Sequence, residues 1–289
     1  WWADYNIVYD ETEDCSMDLS AWVSIVNQSG ASFADARLKL VAGDVNRAEP
    51  RQSTRDLVYK MAVAEEAAGF TEKAFFEYHL YTLQRRTDLP DNSTRQIQLM
   101  PAANGIRCEK QLVFAPTMDT GYYGHHQLDR EYGRYGNADV DVYLKFSNRE
   151  SEQLGIPLPA GRIRVNQEDP ADGSLEFIGE DVIDHTPRNE DVQIEMGKAF
   201  DVVGERKQTD FRIDSRTRNL WESFEIRLRN HKKDEVSVTV LENLYRAANW
   251  KIESASHPHD KENSSRIRFD LRIPSGGETV LRYTVHYSW

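Results

Sequence analysis

Arg266-Ile-Arg-Phe-Asp-Leu-Arg-Ile273 alternates strictly between charged and apolar side chains. Successive side chains of a strand point to opposite faces. Ile267, Phe269, Leu271 and Ile273 therefore share one face, and Arg266, Arg268, Asp270 and Arg272 share the other. Such a strand is buried on one side and wet on the other, the signature of an antiparallel sheet. The pattern recurs along 140–146, where Val140, Val142, Leu144 and Phe146 alternate with polar residues. It recurs again along 224–229 and 281–287, with similar runs at 19–26, 37–41, 75–83, 95–99, 161–165, 192–196 and 236–242. Sheets apolar on one face pack in pairs, so the expected fold class is all-β, with two antiparallel β-sandwich domains.

One segment departs from this rhythm towards helix. Residues 55–68 are rich in helix formers, Ser53 to Asp56 offer a cap, and Gly69 offers a stop. A short helical excursion is expected near 53–69. A second departure is the Tyr/Gly-rich stretch 116–138, which has no periodicity and reads as a long loop. Six strands precede it and about nine follow. The expected division is 1–136, a sandwich with the helical insertion and the loop 116–136, and 137–289, an immunoglobulin-like sandwich. Three strand ends share Asn and a polar turn: Asn27-Gln-Ser-Gly30, Asn148-Arg-Glu150 and Asn230-His-Lys-Lys233. Asn suits hairpins because it tolerates left-handed backbone. The echo reads either as shared turn chemistry or as duplicated modules.

Composition narrows the function classes. The chain has 289 residues, 36 Lys and Arg against 48 Asp and Glu, and a net charge of −12. That balance disfavours nucleic acid as a partner. Aromatic residues at 10% exclude a disordered chain. No apolar run reaches the ~18 residues of a membrane span. The start Trp1-Trp2-Ala3, without Met, reads as a processed or truncated piece. Cys15 and Cys108 are two buried thiols or one bridge; spacing leaves both open.

Several stretches resemble a bacterial domain-of-unknown-function family of envelope proteins that includes mucoidy-inhibitor-like proteins. They are Trp22-Val-Ser-Ile-Val-Asn-Gln-Ser-Gly-Ala-Ser-Phe-Ala-Asp-Ala-Arg-Leu-Lys-Leu40, Phe76-Glu-Tyr-His-Leu-Tyr-Thr-Leu83, Gly155-Ile-Pro-Leu-Pro-Ala-Gly-Arg-Ile-Arg-Val165, Ala199-Phe-Asp-Val-Val-Gly-Glu-Arg-Lys207 and Phe224-Glu-Ile-Arg-Leu-Arg-Asn-His-Lys-Lys233. The resemblance implies an exported protein, periplasmic or extracellular, and it transfers no reaction, cofactor or catalytic residue.

Chemical motifs are sparse. Nucleophile elbow, phosphate-binding loop, His-Glu-x-x-His and Cys-x-x-Cys are all absent. In the Tyr/Gly stretch, Tyr122, Tyr123, His125, His126, Tyr132 and Tyr135 form a candidate binding loop, because Tyr with Gly is the composition of adaptable recognition segments. His125, His126, Asp129 and Glu131 are also of metal-ligand type. A catalytic centre, if there is one, is expected at Asp184, His185 and Glu190, where a carboxylate beside a His can orient and charge it. The competing reading makes that stretch a turn fixed by Pro187. His257-Pro-His259 and the acidic run Asp10 to Asp14 read as exposed turns. Finally, Arg162, Arg164, Arg227, Arg229, Arg266, Arg268, Arg272 and Arg282 lie on outward strand faces. They either pair across strands or make a basic surface for the carboxylates of a protein or polysaccharide. The sequence thus favours a non-catalytic binding or structural module with no cofactor and no metal, over a metal-assisted hydrolase of envelope polymer.

Overall fold

The computed structural model describes residues 1–11, 15–43, 64–65, 69–116, 126–133 and 139–289. In chain order the strands are β1 (Trp2–Asp10), β2 (Ser16–Asn27), β3 (Phe33–Ala36), β4 (Lys39–Ala42), β5 (Ala64–Glu65), β6 (Phe70–Phe75), β7 (Tyr78–Leu83), β8 (Thr87–Leu89), β9 (Ser93–Phe114) and β10 (Asp139–Ser147). They continue with β11 (Gly161–Glu168), β12 (Leu175–Ile183), β13 (Asp191–Asp214), β14 (Asn219–Asn230), β15 (Val236–Asn243), β16 (Asn249–Ala255), β17 (Asp260–Lys261), β18 (Arg266–Ile273) and β19 (Glu278–Ser288). The described chain is nearly all β, as expected, with one large sheet and two small ones. Its only described helical element is a single 3-10 turn at Glu150–Glu152. The helix expected over 53–69 lies almost wholly outside the described residues. Within it, Ala64 and Glu65 are extended and pair with Gln96 and Ile97.

The large sheet is mixed, which corrects the purely antiparallel expectation. Ala3–Tyr9 of β1 run parallel to Gly161–Gln167 of β11, and Leu112–Phe114 of β9 run parallel to Val238–Val240 of β15. Both pairings join segments more than 100 residues apart, so no local hairpin pattern could reveal them. The chain forms two compact units. The first comprises Trp1–Glu109 with Leu144–Glu195, and the second Lys110–Tyr143 with Met196–Trp289. This differs from a division into consecutive halves at 136/137. The physical reason is strand length: β9 has 22 residues and β13 has 24, and the unit boundaries fall inside β9, β10 and β13.

Within the second unit the alternation is realised closely. Along β14 every second residue is buried, and along β18 Ile267, Phe269, Leu271 and Ile273 face inward. They pack with Phe114, Phe224, Tyr283 and Val285 in one core. In the first unit Ala3, Tyr5 and Ile7 of β1 are buried with Ala21 and Val23 of β2 and Ile163 and Val165 of β11.

The Asn echo proves to be a threefold structural motif. Asn27 and Asn230 are the last residues of β2 and β14, Asn148 directly follows β10, and all three are buried. Each side-chain amide donates to a proline carbonyl far along the chain: Asn27 to Pro90 at 3.1 Å, Asn148 to Pro187 at 2.9 Å, Asn230 to Pro274 at 3.2 Å. Each also donates to a carbonyl in its own following turn, those of Ala31, Ile156 and Asp234. Two residues beyond each proline the backbone turns left-handed, at Asn92 (φ 53°), Asn189 (φ 65°) and Gly276 (φ 59°). The next strand, β9, β13 or β19, then returns beside the strand that the Asn ended. In each excursion an antiparallel pair forms, β3 with β8, β11 with β12, β15 with β18. One buried amide thus ties both ends of each excursion, satisfying carbonyls that no ladder reaches.

Candidate functional site

The outward face of the first unit carries an open pocket of about 210 Å³ built from four neighbouring strands. Asp4 of β1 lies between Trp22 of β2 and Arg162 of β11, and Asn6 lies beside Arg164. These residues point away from the buried Ala3, Tyr5 and Ile7 because the strand period is two. Gln96 of β9 closes one side. Tyr5 lines the pocket from the core side, and its hydroxyl donates to the Pro159 carbonyl at 2.7 Å. Burial, with a smaller contribution from Tyr81, holds that phenol far above its ordinary pKa, so it stays neutral.

The polar groups here are unevenly satisfied. Asp4 accepts from the Ser24 hydroxyl at 2.8 Å, Asn6 accepts from the Asn166 amide at 3.2 Å, and Arg164 pairs with Glu180 at 3.3 Å. The Trp22 indole N–H, the Gln96 amide and the exposed Arg162 guanidinium have no side-chain partner among the described residues. The remaining arginines of the candidate basic surface lie in the second unit and are mostly neutralised. Arg227 and Arg282 share Glu225, each at 2.7 Å, and Arg268 meets Asp270 at 2.9 Å. Arg229 lies 3.8 Å from Glu205, and Arg266 lies 3.7 Å from Glu262. Arg272 sits on the exposed side of β18.

The Tyr/Gly stretch is described only over 126–133; Tyr122, Tyr123, His125 and Tyr135 lie outside the described residues. The described part is fixed from beneath. Arg246, almost fully buried, forms a two-point bridge to Glu222 at 2.7 and 2.8 Å. Its other N–H groups donate to the carbonyls of Gln127 (3.0 Å), Asp129 (2.7 Å) and Tyr132 (3.0 Å). Tyr132 packs edge-on against Tyr245, whose hydroxyl donates to the Tyr132 carbonyl at 3.0 Å. His126 lies against Trp289, with ring centroids 5.3 Å apart. A second buried pair completes the cluster: Arg206 grips Glu242 at 2.9 and 3.0 Å, and the Tyr283 hydroxyl donates to the same carboxylate at 2.6 Å. Burial alone would lower the Arg206 pKa, but the Glu242 carboxylate outweighs it and holds the guanidinium charged.

Among the described residues no hydrogen bond or ion pair gathers Asp184, His185 and Glu190 around one point. Asp184 accepts from the Thr186 hydroxyl through its backbone carbonyl, and the Glu190 carbonyl accepts from the Asn148 N–H. His185 Nδ1 accepts from the Ala160 N–H at 3.0 Å, which places the ring proton on Nε2 in the neutral form. His185 lines a pocket of about 180 Å³ with Gly43, His79, Tyr81, Pro157 and Pro159. His79 bonds Glu72 at 2.8 Å, and Glu72 also holds Arg188 at 2.7 Å.

Cys15 and Cys108 form a disulfide, closing a loop of 93 residues in sequence separation. Among the described residues no group of three or more His, Cys, Asp or Glu is placed to hold a metal ion, and no helix is long and apolar enough to cross a membrane. His257 bonds Ser256, and His259 packs near Phe269. No known family pattern and no curated protein matches the chain. Sequence reading overlooked Trp22, Asp4 and Gln96, although the alternation Ala3-Asp-Tyr-Asn-Ile7 was there to be read. It also overlooked Arg246 and Glu222, because nothing local distinguishes a buried charge from a solvated one.

Proposed function

We propose that this chain is an exported protein of the bacterial cell envelope, periplasmic or extracellular, that works as a non-catalytic binding or structural module. The family resemblance to mucoidy-inhibitor-like proteins belongs to the same proposal, as does the reading of both units as β-sandwiches, the second immunoglobulin-like. The Cys15–Cys108 disulfide carries the argument, because such bridges form and persist in oxidising compartments and are rare where thiols are kept reduced. Rigid sheets with tied excursions supply presentation surfaces, and the partner is a protein or an envelope polysaccharide. Fractionation of the native host with thiol alkylation tests this. The expected result is protein outside the cytoplasm whose two cysteines resist alkylation until reduced. Free thiols in a cytoplasmic pool would overturn it.

A metal-assisted hydrolase of envelope polymer is the second reading, favoured by the pocket that holds both His185 and the Glu72-oriented His79. A carboxylate-held imidazole is the arrangement a general base uses. That reading expects Asp184→Ala and His185→Ala to remain folded while losing release of reducing ends from envelope polymer. Retained phenotype in folded variants would favour the binding module.

A further inference from the structure

We infer that the outward pocket of the first unit binds an acidic sugar, a uronic-acid pyranose carried by an envelope polysaccharide. The inference rests on the reading of the chain as an envelope binding module and names the ligand class and the residues.

Three features of the pocket carry it. The first is the unsatisfied Arg162. Asp4 stands directly opposite it across the β1–β11 pair, and opposite charges so placed normally form a cross-strand pair. Here Asp4 is bonded to Ser24, and the exposed guanidinium is left without an ionic partner among the described residues. A planar fork of donors over an open pocket matches a carboxylate bidentately.

The second feature is Trp22, half-buried and on the same outward face, beside Asp4 in the register. Its ring offers a flat apolar platform and its N–H a polar edge, the combination that suits a ligand with one apolar face and a rim of hydroxyls. A pyranose has that shape. The third is the remaining lining: Asp4, Asn6 and Gln96 supply both acceptors and donors. A purely anionic ligand such as phosphate would find Asp4 repulsive, whereas sugar hydroxyls can donate to it. The pocket volume of about 210 Å³ lies below the ~300–1,000 Å³ of drug-sized sites and suits one ring of a longer chain that continues over the open surface.

The geometry is also rigid. Asp4, Trp22 and Arg162 lie within paired strands whose opposite faces are buried, so the site is formed before the ligand arrives. The ligand carboxylate replaces the missing partner of Arg162 while the net charge of −12 repels the rest of a polyanion. Affinity per site is therefore modest.

The test uses the intact chain with its disulfide. Trp fluorescence and calorimetric titration are run with short oligomers of galacturonate, glucuronate and mannuronate, with their methyl-esterified forms, and with the free uronic acids. The expected result is saturable binding of at least one acidic oligomer, roughly tenfold or more weaker for its ester and for Arg162→Gln. Arg162→Lys is expected to fall between, and Lys251→Gln, exposed in the second unit, to bind as the unchanged chain does. Tighter binding of the oligomer than of the free acid assigns the site to polymer; the reverse overturns the polymer assignment. Equal binding of acid and ester, unchanged binding in Arg162→Gln, or no binding of any of the three oligomers would each overturn the acidic-sugar site. None of those outcomes alters the fractionation result, so this inference and the exported-module reading fail separately.

Discussion

The side chains that hold this molecule in shape are polar, buried and few. Asn230 is 1% exposed, donates to the carbonyls of Asp234, Ile273 and Pro274, and accepts the Lys232 N–H at 2.9 Å. Replacing it by Ala strands those groups in a dry corner, where each unsatisfied partner carries a penalty of about 1–3 kcal/mol. We expect Asn230→Ala to lower unfolding stability by about 2–4 kcal/mol in urea titration. Asn92→Gly is expected to change it by less than about 1 kcal/mol, because the left-handed backbone there suits Gly equally well. A near-silent Asn230→Ala would show that the amide is spectator to the turn rather than its tie. Arg246 makes a sharper case. Converting it to Met removes the bridge to Glu222 and the donors to three carbonyls of the 126–133 segment, leaving a buried carboxylate uncompensated. The expected loss is about 3–5 kcal/mol. The double variant Arg246→Met, Glu222→Leu should recover part of it, since an apolar pair avoids the unpaired charge. If the single and double variants were equally unstable, the carbonyl ties rather than the ion pair would hold the segment.

Among the elements, what was legible depended on how one-sided each strand is. The runs at 140–146, 224–229, 236–242, 266–273 and 281–287 all lie within strands, because each has one dry face and one wet one. The run 75–83 reads as a single strand but is broken by a turn at Phe76, whose φ of 59° is left-handed, so β6 and β7 form a hairpin. The edge strand β12 gives no such signal. Leu175, Phe177, Ile178 and Val182 are all exposed, so no alternation marks it. The three Asn ties were half visible: their strand-ending position could be read, but their partners lie 39 to 63 residues downstream, at Pro187, Pro274 and Pro90. The disulfide belongs to this scale as well, since it joins the β1–β2 connection to β9. Closing so long a loop restricts the unfolded chain by about 4–5 kcal/mol in the chain-entropy account. Reduction, or Cys15→Ser with Cys108→Ser, is therefore expected to lower the denaturation midpoint markedly while leaving the native circular dichroism unchanged. An unchanged midpoint would mean that the reduced unfolded chain already holds those ends together.

At the scale of the whole molecule, a division drawn along the sequence cannot separate the folded units. The Tyr/Gly stretch marked a break in pattern, and a break in pattern commonly signals a linker. Here the stretch from Lys110 to Tyr143 belongs to the second unit, while Leu144–Glu195 returns to the first. A chain ending at 136 would keep β1 and β2 but lose β11, the parallel partner of Ala3–Tyr9, together with the whole Asn148 module. It would also lose Arg162 and Arg164, which line one side of the pocket on that face. A chain beginning at 137 would lack Phe114, which is fully buried in the core of the second unit, and the Leu112–Phe114 edge that pairs with β15. It would carry β11 and β12 with no β1 to receive them. Neither half is expected to unfold cooperatively, whereas the intact chain is. The deciding measurement is thermal unfolding followed by near-ultraviolet circular dichroism of residues 1–136 and 137–289, each alone and then mixed. Flat, non-cooperative traces from the separate halves, with a transition regained on mixing, would match interlaced units. A sharp transition from 137–289 alone would mean that the second unit needs neither Phe114 nor its β9 edge, and the consecutive division would stand.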